Sequence, residues 1–157
     1  MGFLTGKTVI ITGAGRAVLK DGSCGSIGYG IATAYAKEGA NLVITGRNVK
    51  KLEAAKQELE CLYGIKVLTV QADVCAGGDN EATVANVVKQ AIDTFGGIQV
   101  LINNAQASAS GVPLAEHTTE QFDLAIYSGL YAAFYYMKAC YPYLAESHGS
   151  VINFASG

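Results

Sequence analysis

Strand-like and helix-like segments alternate along the whole chain, and this alternation restricts the possible folds more than any other feature. The strand-like segments are short, apolar and rich in β-branched residues. They cover residues 7–12, 41–46, 65–73, 99–105 and 149–156. The helix-like segments, with apolar residues at helical spacing, cover 30–40, 48–64, 78–97 and 118–146. The pattern predicts an α/β protein.

The predicted strands are apolar on both faces, which is typical of a parallel sheet covered by helices on both sides. Right-handed crossovers then give a doubly wound Rossmann-type sheet with three layers, α/β/α, whose ligands bind at the carboxyl ends of the strands. The sequence stops after the fifth predicted strand without a helix to cover it. We therefore expect residues 1–157 to form an incomplete domain of this kind, truncated after that strand.

The second predicted helix has clear signals at both ends. Asn48 is placed to cap its first turn, and Gly64 is placed to end it. Between them, Leu52, Leu59 and Leu62 share one face at helical spacing. We expect that face to pack on the sheet.

Composition excludes several classes of protein. Hydrophobic residues make up 50% of the chain and charged residues 15%, with a net charge of -2, which is unlike a disordered chain or a nucleic-acid-binding surface. No signal segment opens the sequence, and the most apolar stretch, 124–137, is too short to cross a bilayer. The 4 cysteines are scattered and the 2 histidines isolated. We expect a soluble cytoplasmic protein with reduced thiols, no metal and no membrane association.

A glycine-rich turn follows the first predicted strand. Such a turn lets backbone amides and a helix N-terminus meet a pyrophosphate, which indicates a dinucleotide site. The residues expected to bind the cofactor at this turn are Gly13, Gly15, Arg16, Ser26, Ile27 and Gly28. The alternative interpretation is that Gly28 and Gly30 only permit close packing of helix against sheet.

The turn is interrupted by an extra segment over residues 16–25. Asp21 and Gly22 are suited to form a turn within it. We expect this segment to loop outward on the surface; the alternative is that it covers the pyrophosphate as a lid.

Arg47 follows the second predicted strand, at the place where an NAD site has an acidic residue for the ribose 2′-hydroxyl. A guanidinium binds a 2′-phosphate through paired hydrogen bonds. Gly46 beside it adds no carboxylate that would repel a phosphate. This end of the strand therefore favours NADP over NAD, the alternative being that Arg47 is a solvated surface residue.

Four motifs stand in order at predicted strand ends. They are Thr12-Gly13 with the glycine turn, Ala72-Asp73-Val74, Asn103-Asn104-Ala105 and the stretch GSVINFASG at 149–157. Together they resemble the short-chain dehydrogenase/reductase family over the whole chain. The family resemblance implies a Rossmann fold and hydride transfer with a nicotinamide cofactor.

The resemblance also implies roles for single residues. Asp73 would bond the adenine amino group, with the backbone of Val74 alongside. Asn104 and Ala105 would line the nicotinamide ribose, and Asn103 would help to hold the central strand. Without the resemblance, Asp73 would be interpreted as a strand-end cap and the two asparagines as a turn.

Ser156 falls on the catalytic serine of the family, whose hydroxyl orients and polarises the substrate oxygen. In the family a Tyr-x-x-x-Lys pattern follows this serine and moves the proton. The pattern does not occur in these 157 residues, and its expected place lies beyond Gly157. We therefore expect this polypeptide, as written, to be inactive in hydride transfer.

Two further positions depart from the family. Gly129 stands where a helix asparagine is usual, and Gln106 replaces the glycine that usually follows Asn-Asn-Ala. The stretch SIGYGIA at 26–32 also resembles divergent enoyl-carrier-protein reductases.

The leading hypothesis is an oxidoreductase that transfers a hydride between NADP(H) and a small-molecule carbonyl/alcohol substrate, with NAD as the less favoured cofactor. The alternatives are an enoyl-thioester reductase-like enzyme and a non-catalytic nucleotide-binding or scaffold protein, the latter if the chain naturally ends here.

The longest predicted helix also carries information about partners. A capping-box pattern at Thr118 and Gln121 begins it, and Pro142 is expected to bend or end it. Its apolar surface is wider than one helix face and comprises Tyr127, Leu130, Tyr131, Phe134, Tyr135 and Met137. By the family resemblance this helix pairs with its copy, which implies a homo-oligomer, either a dimer or a tetramer.

Overall fold

The computed structural model describes residues 2–75 and 80–155, which form a single five-stranded parallel sheet. The strands are β1 (Thr8–Thr12), β2 (Asn41–Gly46), β3 (Val67–Gln71), β4 (Val100–Asn103) and β5 (Ser150–Asn153). Their order across the sheet is β3-β2-β1-β4-β5, with every neighbouring pair parallel. The predicted Rossmann-type α/β fold is confirmed.

Helices cover both faces of this sheet. They are α1 (Ile27–Lys37), α2 (Val49–Tyr63), α3 (Asn80–Phe95), α4 (Thr119–Ile126) and α5 (Ala132–Ser147). A 3-10 turn (Leu114–Glu116) precedes α4, and a π-helical turn (Tyr127–Tyr131) joins α4 to α5. Alternate residues of the central strands enter opposite cores: Val9 and Ile11 pack with α1 and α2, whereas Ile10 packs with α3 and α5.

Helix α1 begins at Ile27, at the glycines expected to open it and three residues before the stretch with regular helical spacing at 30–40. The hydroxyl of Ser26 caps it by accepting a hydrogen bond from the Tyr29 N–H at 3.4 Å. Glycines have low helix propensity, and those at 28 and 30 interrupt the apolar spacing that marks the rest of the helix. Packing of the turn against the end of β1 compensates for their low propensity.

The predicted ends of α2 are confirmed. Asn48 accepts a hydrogen bond from the Lys51 N–H at 3.0 Å, and Gly64 ends the helix in the left-handed conformation with φ 66°. Leu52 and Leu59 are buried as expected. Leu62 is 62% exposed, so its predicted place on the buried face is wrong, because it lies in the last turn beyond the edge of the core.

The long helix also differs from its prediction. Its capping box at Thr118 and Gln121 is confirmed. Pro142 does not end the helix: α5 continues past it to Ser147. Cys140 and Leu144, on either side of the proline, are buried against the sheet and α3, and this burial outweighs the missing backbone hydrogen bond.

Strands β3, β4 and β5 are shorter at their carboxyl ends than predicted. The chain leaves the sheet after Gln71, Asn103 and Asn153, and the residues that follow form the walls of two cavities. β5 lies at the edge of the sheet and is exposed along its length. Within the described residues, no helix has both the length and the apolar character needed to cross a membrane.

Candidate functional site

Two adjoining cavities open at the carboxyl ends of the strands. The first has a volume of about 220 Å³ and lies between the ends of β1, β2 and β3, with Gly13, Arg47 and Asn104 in its wall. The second has a volume of about 350 Å³ and lies between the ends of β4 and β5 and the π-helical turn. Val74, Ala105 and Gln106 line both cavities, so a ligand in one contacts the wall of the other.

The side chain of Thr12 joins the end of β1 to the end of β4. Its hydroxyl oxygen accepts hydrogen bonds from the N–H groups of Asn104 at 3.0 Å and Ala105 at 2.9 Å. The Asn104 side-chain amide donates in return to the Thr12 carbonyl oxygen at 2.9 Å. Thr12 is only 2% exposed. Thr12 was not predicted as a site residue, although its place directly before a glycine turn indicates one.

Gly13 and Gly28 allow a close approach at this junction. Gly13 has φ 71°, and a Cβ there would lie 3.1 Å from Ala105 Cβ. A Cβ at Gly28 would collide with the Gly13 carbonyl oxygen and lie 2.6 Å from Asn104 Nδ2. Close packing, the alternative interpretation for Gly28, is therefore what this backbone requires. A phosphate contact by these residues stays a prediction.

The other residues predicted at the glycine turn have different surroundings. Arg16 donates its backbone N–H to the Lys51 carbonyl oxygen at 2.8 Å and its guanidinium to Glu58, so it lies along α2. A Cβ at Gly15 would lie 3.1 Å from Lys51 Cβ, so this part of the loop packs on the first turn of α2. Ile27 is 66% exposed in the first turn of α1.

The extra segment forms a small hairpin outside both cavities. Val18 pairs with Cys24, and the Leu19 N–H donates to the Ser23 carbonyl oxygen at 2.9 Å. Gly22 has φ 84°, and the Asp21 carboxylate accepts from the Ser23 N–H at 3.0 Å. The Ser23 hydroxyl also donates to this carboxylate at 2.6 Å, and this bond, followed by that from the Ser23 N–H, holds the pKa of Asp21 below its usual value. The predicted turn at Asp21 and Gly22 and the outward course of the segment are confirmed.

The ends of β2 and β3 bring Arg47 and Val74 to the first cavity, and Asp73 lies next to Val74 in the chain. Arg47 is exposed beside the cavity, and its carbonyl oxygen accepts from Gln71 Nε2 at 3.1 Å. The Asp73 carboxylate accepts from the Cys75 N–H at 2.9 Å, so it does cap the strand end. Burial, followed by the nearby Asp73 carboxylate, raises the pKa of the Cys75 thiol, which keeps that thiol protonated at neutral pH.

Hydrogen bonds between side chains and backbone shape the second cavity. Asn103 Nδ2 donates to Asn153 Oδ1 at 2.8 Å and ties β4 to β5. The Ser128 hydroxyl accepts from the Ala107 N–H at 2.9 Å and donates to the Leu124 carbonyl oxygen at 2.7 Å. This buried serine therefore fixes the loop after β4 to the π-helical turn, a role that no pattern in the sequence indicates. π-helical turns are often found at functional sites.

The two departures from the family pattern lie against each other. A Cβ at Gly129 would lie 3.6 Å from Gln106 Nε2, so the carboxamide of Gln106 occupies the space beside that glycine. The long side chain at one position and the missing side chain at the other are therefore complementary. Phe154 and Ala155 also line this cavity. Ser156, the predicted catalytic residue, lies outside the described residues, and its role stays a prediction.

Known proteins similar in sequence to this chain are dehydrogenases. A family model described as short chain dehydrogenase matches residues 7–157. The chain belongs to the short-chain dehydrogenase/reductase family. It is 62% identical over 157 residues to a 12alpha-hydroxysteroid dehydrogenase of Clostridium sp., covering all of this chain and 58% of that protein. The chain thus spans a little over half the length of that curated relative.

Solved structures of the family superpose on the same sheet. An alcohol dehydrogenase of Thermococcus sibiricus in complex with 5-hydroxy-NADP has a TM-score of 0.80 at 28% identity, covering 92% of this chain and 56% of its own. An NAD+-bound xylitol dehydrogenase has a TM-score of 0.84 at 26% identity, covering 98% of this chain and 54% of its own. Family neighbours with this fold therefore bind either cofactor.

Proposed function

We propose that residues 1–157 form the NAD(P)-binding domain of an oxidoreductase that transfers a hydride between NADP(H) and a carbonyl/alcohol substrate. The observation that carries the proposal is the pair of adjoining cavities at the carboxyl ends of the strands. A dinucleotide laid across the ends of β1 to β4 would bring its nicotinamide end to the second cavity. Family membership supplies the reaction class.

The backbone at the glycine turn fits a dinucleotide. Gly28 carries no Cβ at a point where one would fill the space beside Gly13 and Asn104, and α1 begins next to it with Ser26 as cap. A pyrophosphate would find the N-terminus of α1 and the glycine backbone there. Asp73 with Val74 would hold the adenine, and Asn104 with Ala105 the nicotinamide ribose.

Arg47 supports NADP(H) over NAD(H). It is an exposed guanidinium at the end of β2, beside the first cavity, where a ribose 2′-phosphate would lie. The neighbouring Gly46 contributes no carboxylate. The bound nicotinamide would supply or accept the hydride, and the chain's own residues would bind and orient the two reactants.

A hydroxysteroid is the proposed substrate. The second cavity is lined in large part by apolar side chains, among them Ile126, Leu130 and Ala133, which suit a rigid apolar ring system. The relative at 62% identity is named for 12alpha-hydroxysteroid oxidation. Ser156 would orient the substrate oxygen, and a Tyr-x-x-x-Lys pair outside this sequence would move the proton.

Turnover by the natural polypeptide that contains these residues tests the proposal. We expect NADP+-dependent oxidation of a 12α-hydroxysteroid, followed by NADPH absorbance, and no oxidation of the 12β epimer. Reduction of an enoyl thioester instead would favour the enoyl-reductase alternative. Tight NADPH binding with no turnover of either substrate would favour a non-catalytic nucleotide-binding protein and contradict the proposal.

We also propose that the protein is a homo-oligomer, a dimer or a tetramer. Leu130, Tyr131 and Phe134 are exposed on the π-helical turn and α5. Next to them, the rings of Tyr127 and Tyr131 stack, with their centroids 5.1 Å apart, and add aromatic area to this surface. Light scattering of the purified protein measures the assembly size, and a monomer would contradict this part of the proposal.

A further inference from the structure

Arg47 and the guanidinium of Arg16 lie at different points along α2. Arg47 stands directly before the Asn48 cap, at the start of the helix beside the first cavity. The backbone of Arg16 binds Lys51 in the first turn, and its guanidinium binds Glu58. Glu58 lies about two turns further on, roughly 10 Å along the helix axis. The guanidinium of Arg16 thus extends away from the cavity.

Tyr29 of α1 lies beside this ion pair. It is buried in the core between α1 and α2, and burial, followed by the neighbouring Glu58 carboxylate, raises the pKa of its hydroxyl to about 12. The phenol therefore stays neutral beside the carboxylate. Arg16 and Tyr29 together hold the pKa of Glu58 below its usual value, so Glu58 is ionised and attracts Arg16 at neutral pH.

We propose that Glu58 is a positioning residue for cofactor selectivity: it holds Arg16 along α2, so that Arg47 and not Arg16 meets the ribose 2′-phosphate. This inference rests on the proposed NADP(H) function. The loop itself offers no obstacle to a different position of Arg16, because its side chain and that of Glu58 are both partly exposed. The ion pair is what separates the two guanidinium groups.

Two substitutions distinguish this arrangement from a direct phosphate contact by Arg16. NADPH and NADH dissociation constants are measured by fluorescence titration, which needs no turnover. Arg16→Ala alone should change the NADPH constant by less than about twofold, because the side chain is already withheld. Glu58→Gln should lower the dissociation constant of NADPH by about threefold and leave that of NADH unchanged. The substitution releases the Arg16 guanidinium, which can then reach the 2′-phosphate as a second cation.

The double variant Arg16→Ala with Glu58→Gln should lose that gain, which separates release of Arg16 from simple removal of a negative charge. Glu53→Gln is the matched control, since Glu53 lies on the same helix and its carboxylate accepts a hydrogen bond from the Thr69 hydroxyl at 2.5 Å. It should leave the ratio of the two constants unchanged.

Three results would overturn the inference. If Arg16→Ala alone weakens NADPH binding as much as Arg47→Ala does, Arg16 is a phosphate ligand despite its ion pair with Glu58. Equal weakening of both cofactors by Glu58→Gln would give Glu58 only a structural role, and no change at all would remove it from selectivity. If Glu58→Gln fails to fold, the Arg16→Ala arm still decides. The proposed cofactor itself would be contradicted if the unchanged protein binds NADH more tightly than NADPH and Arg47→Ala has no effect on the binding of either.

Discussion

The interrupted glycine turn has two parts, an inner end and an extra hairpin, which differ in how many contacts they make with the rest of the molecule. The inner end is formed by the buried Thr12 and Gly28 and the partly exposed Gly13, and it is bound to the end of β4 through Asn104. The extra hairpin over 18–25 is exposed throughout and closes on its own hydrogen bonds. Because hydrogen bonds tie the inner end to β2 and to the end of β4, it sets the backbone of the site, whereas the hairpin can change without moving that backbone.

Gly28→Ala should have the largest effect. The new Cβ would collide with the Gly13 carbonyl oxygen, and either the turn or α1 must move. We expect a loss of about 2–3 kcal/mol in the free energy of unfolding and loss of NADPH binding. Urea denaturation and cofactor titration measure the two effects.

Gly30→Ala is the matched control, since a Cβ there would meet only Cys24 Sγ at 3.3 Å. It should change the free energy of unfolding by less than about 1 kcal/mol. Equal losses from the two substitutions would mean that close packing at the inner end is not what distinguishes Gly28.

Thr12→Val should have the next largest effect. It removes the oxygen that accepts from the Asn104 and Ala105 N–H groups and leaves two donors unpaired in a buried place. We expect a loss of about 2 kcal/mol, measured by urea denaturation. Thr12→Ser keeps the hydroxyl and should recover most of that loss; a Ser variant as unstable as the Val variant would place the effect in packing instead.

Arg47→Ala should leave stability unchanged, because the residue is exposed, and alter the binding of one cofactor. We expect the NADPH dissociation constant to rise by about tenfold and the NADH constant by less than about twofold. Fluorescence titration with both cofactors measures the difference. Equal weakening of the two would remove Arg47 from the 2′-phosphate role.

Deleting residues 18–24 should have the smallest effect. The deletion joins Ala17 to Gly25, whose backbones already share a hydrogen bond of 2.7 Å. We expect the free energy of unfolding to change by less than about 1 kcal/mol, and NADPH affinity by less than about twofold. A much larger loss of affinity would show that the hairpin closes over the bound cofactor and would make the two parts of the turn equally important.

Several features of the fold could be predicted from the sequence because they depend on local chemistry. The strand and helix periods, the Asn48 cap, the Gly64 stop and the Thr118 capping box are each written in a few neighbouring residues. The first turn of α1 lacks regular apolar spacing, because its glycines disfavour a helix until the turn packs at the end of β1. The course of α5 through Pro142 likewise depends on burial by distant elements.

The candidate site divides along the same line. The sequence by itself determined the order of strands and helices, the glycine turn and the motifs at strand ends, since these follow from residue type and spacing. Only the tertiary structure brought Thr12 to Asn104, set Gln106 against Gly129 and led Arg16 to Glu58. Each of these contacts joins residues far apart in sequence, and the pairing of parallel strands through crossover helices decides which of them meet.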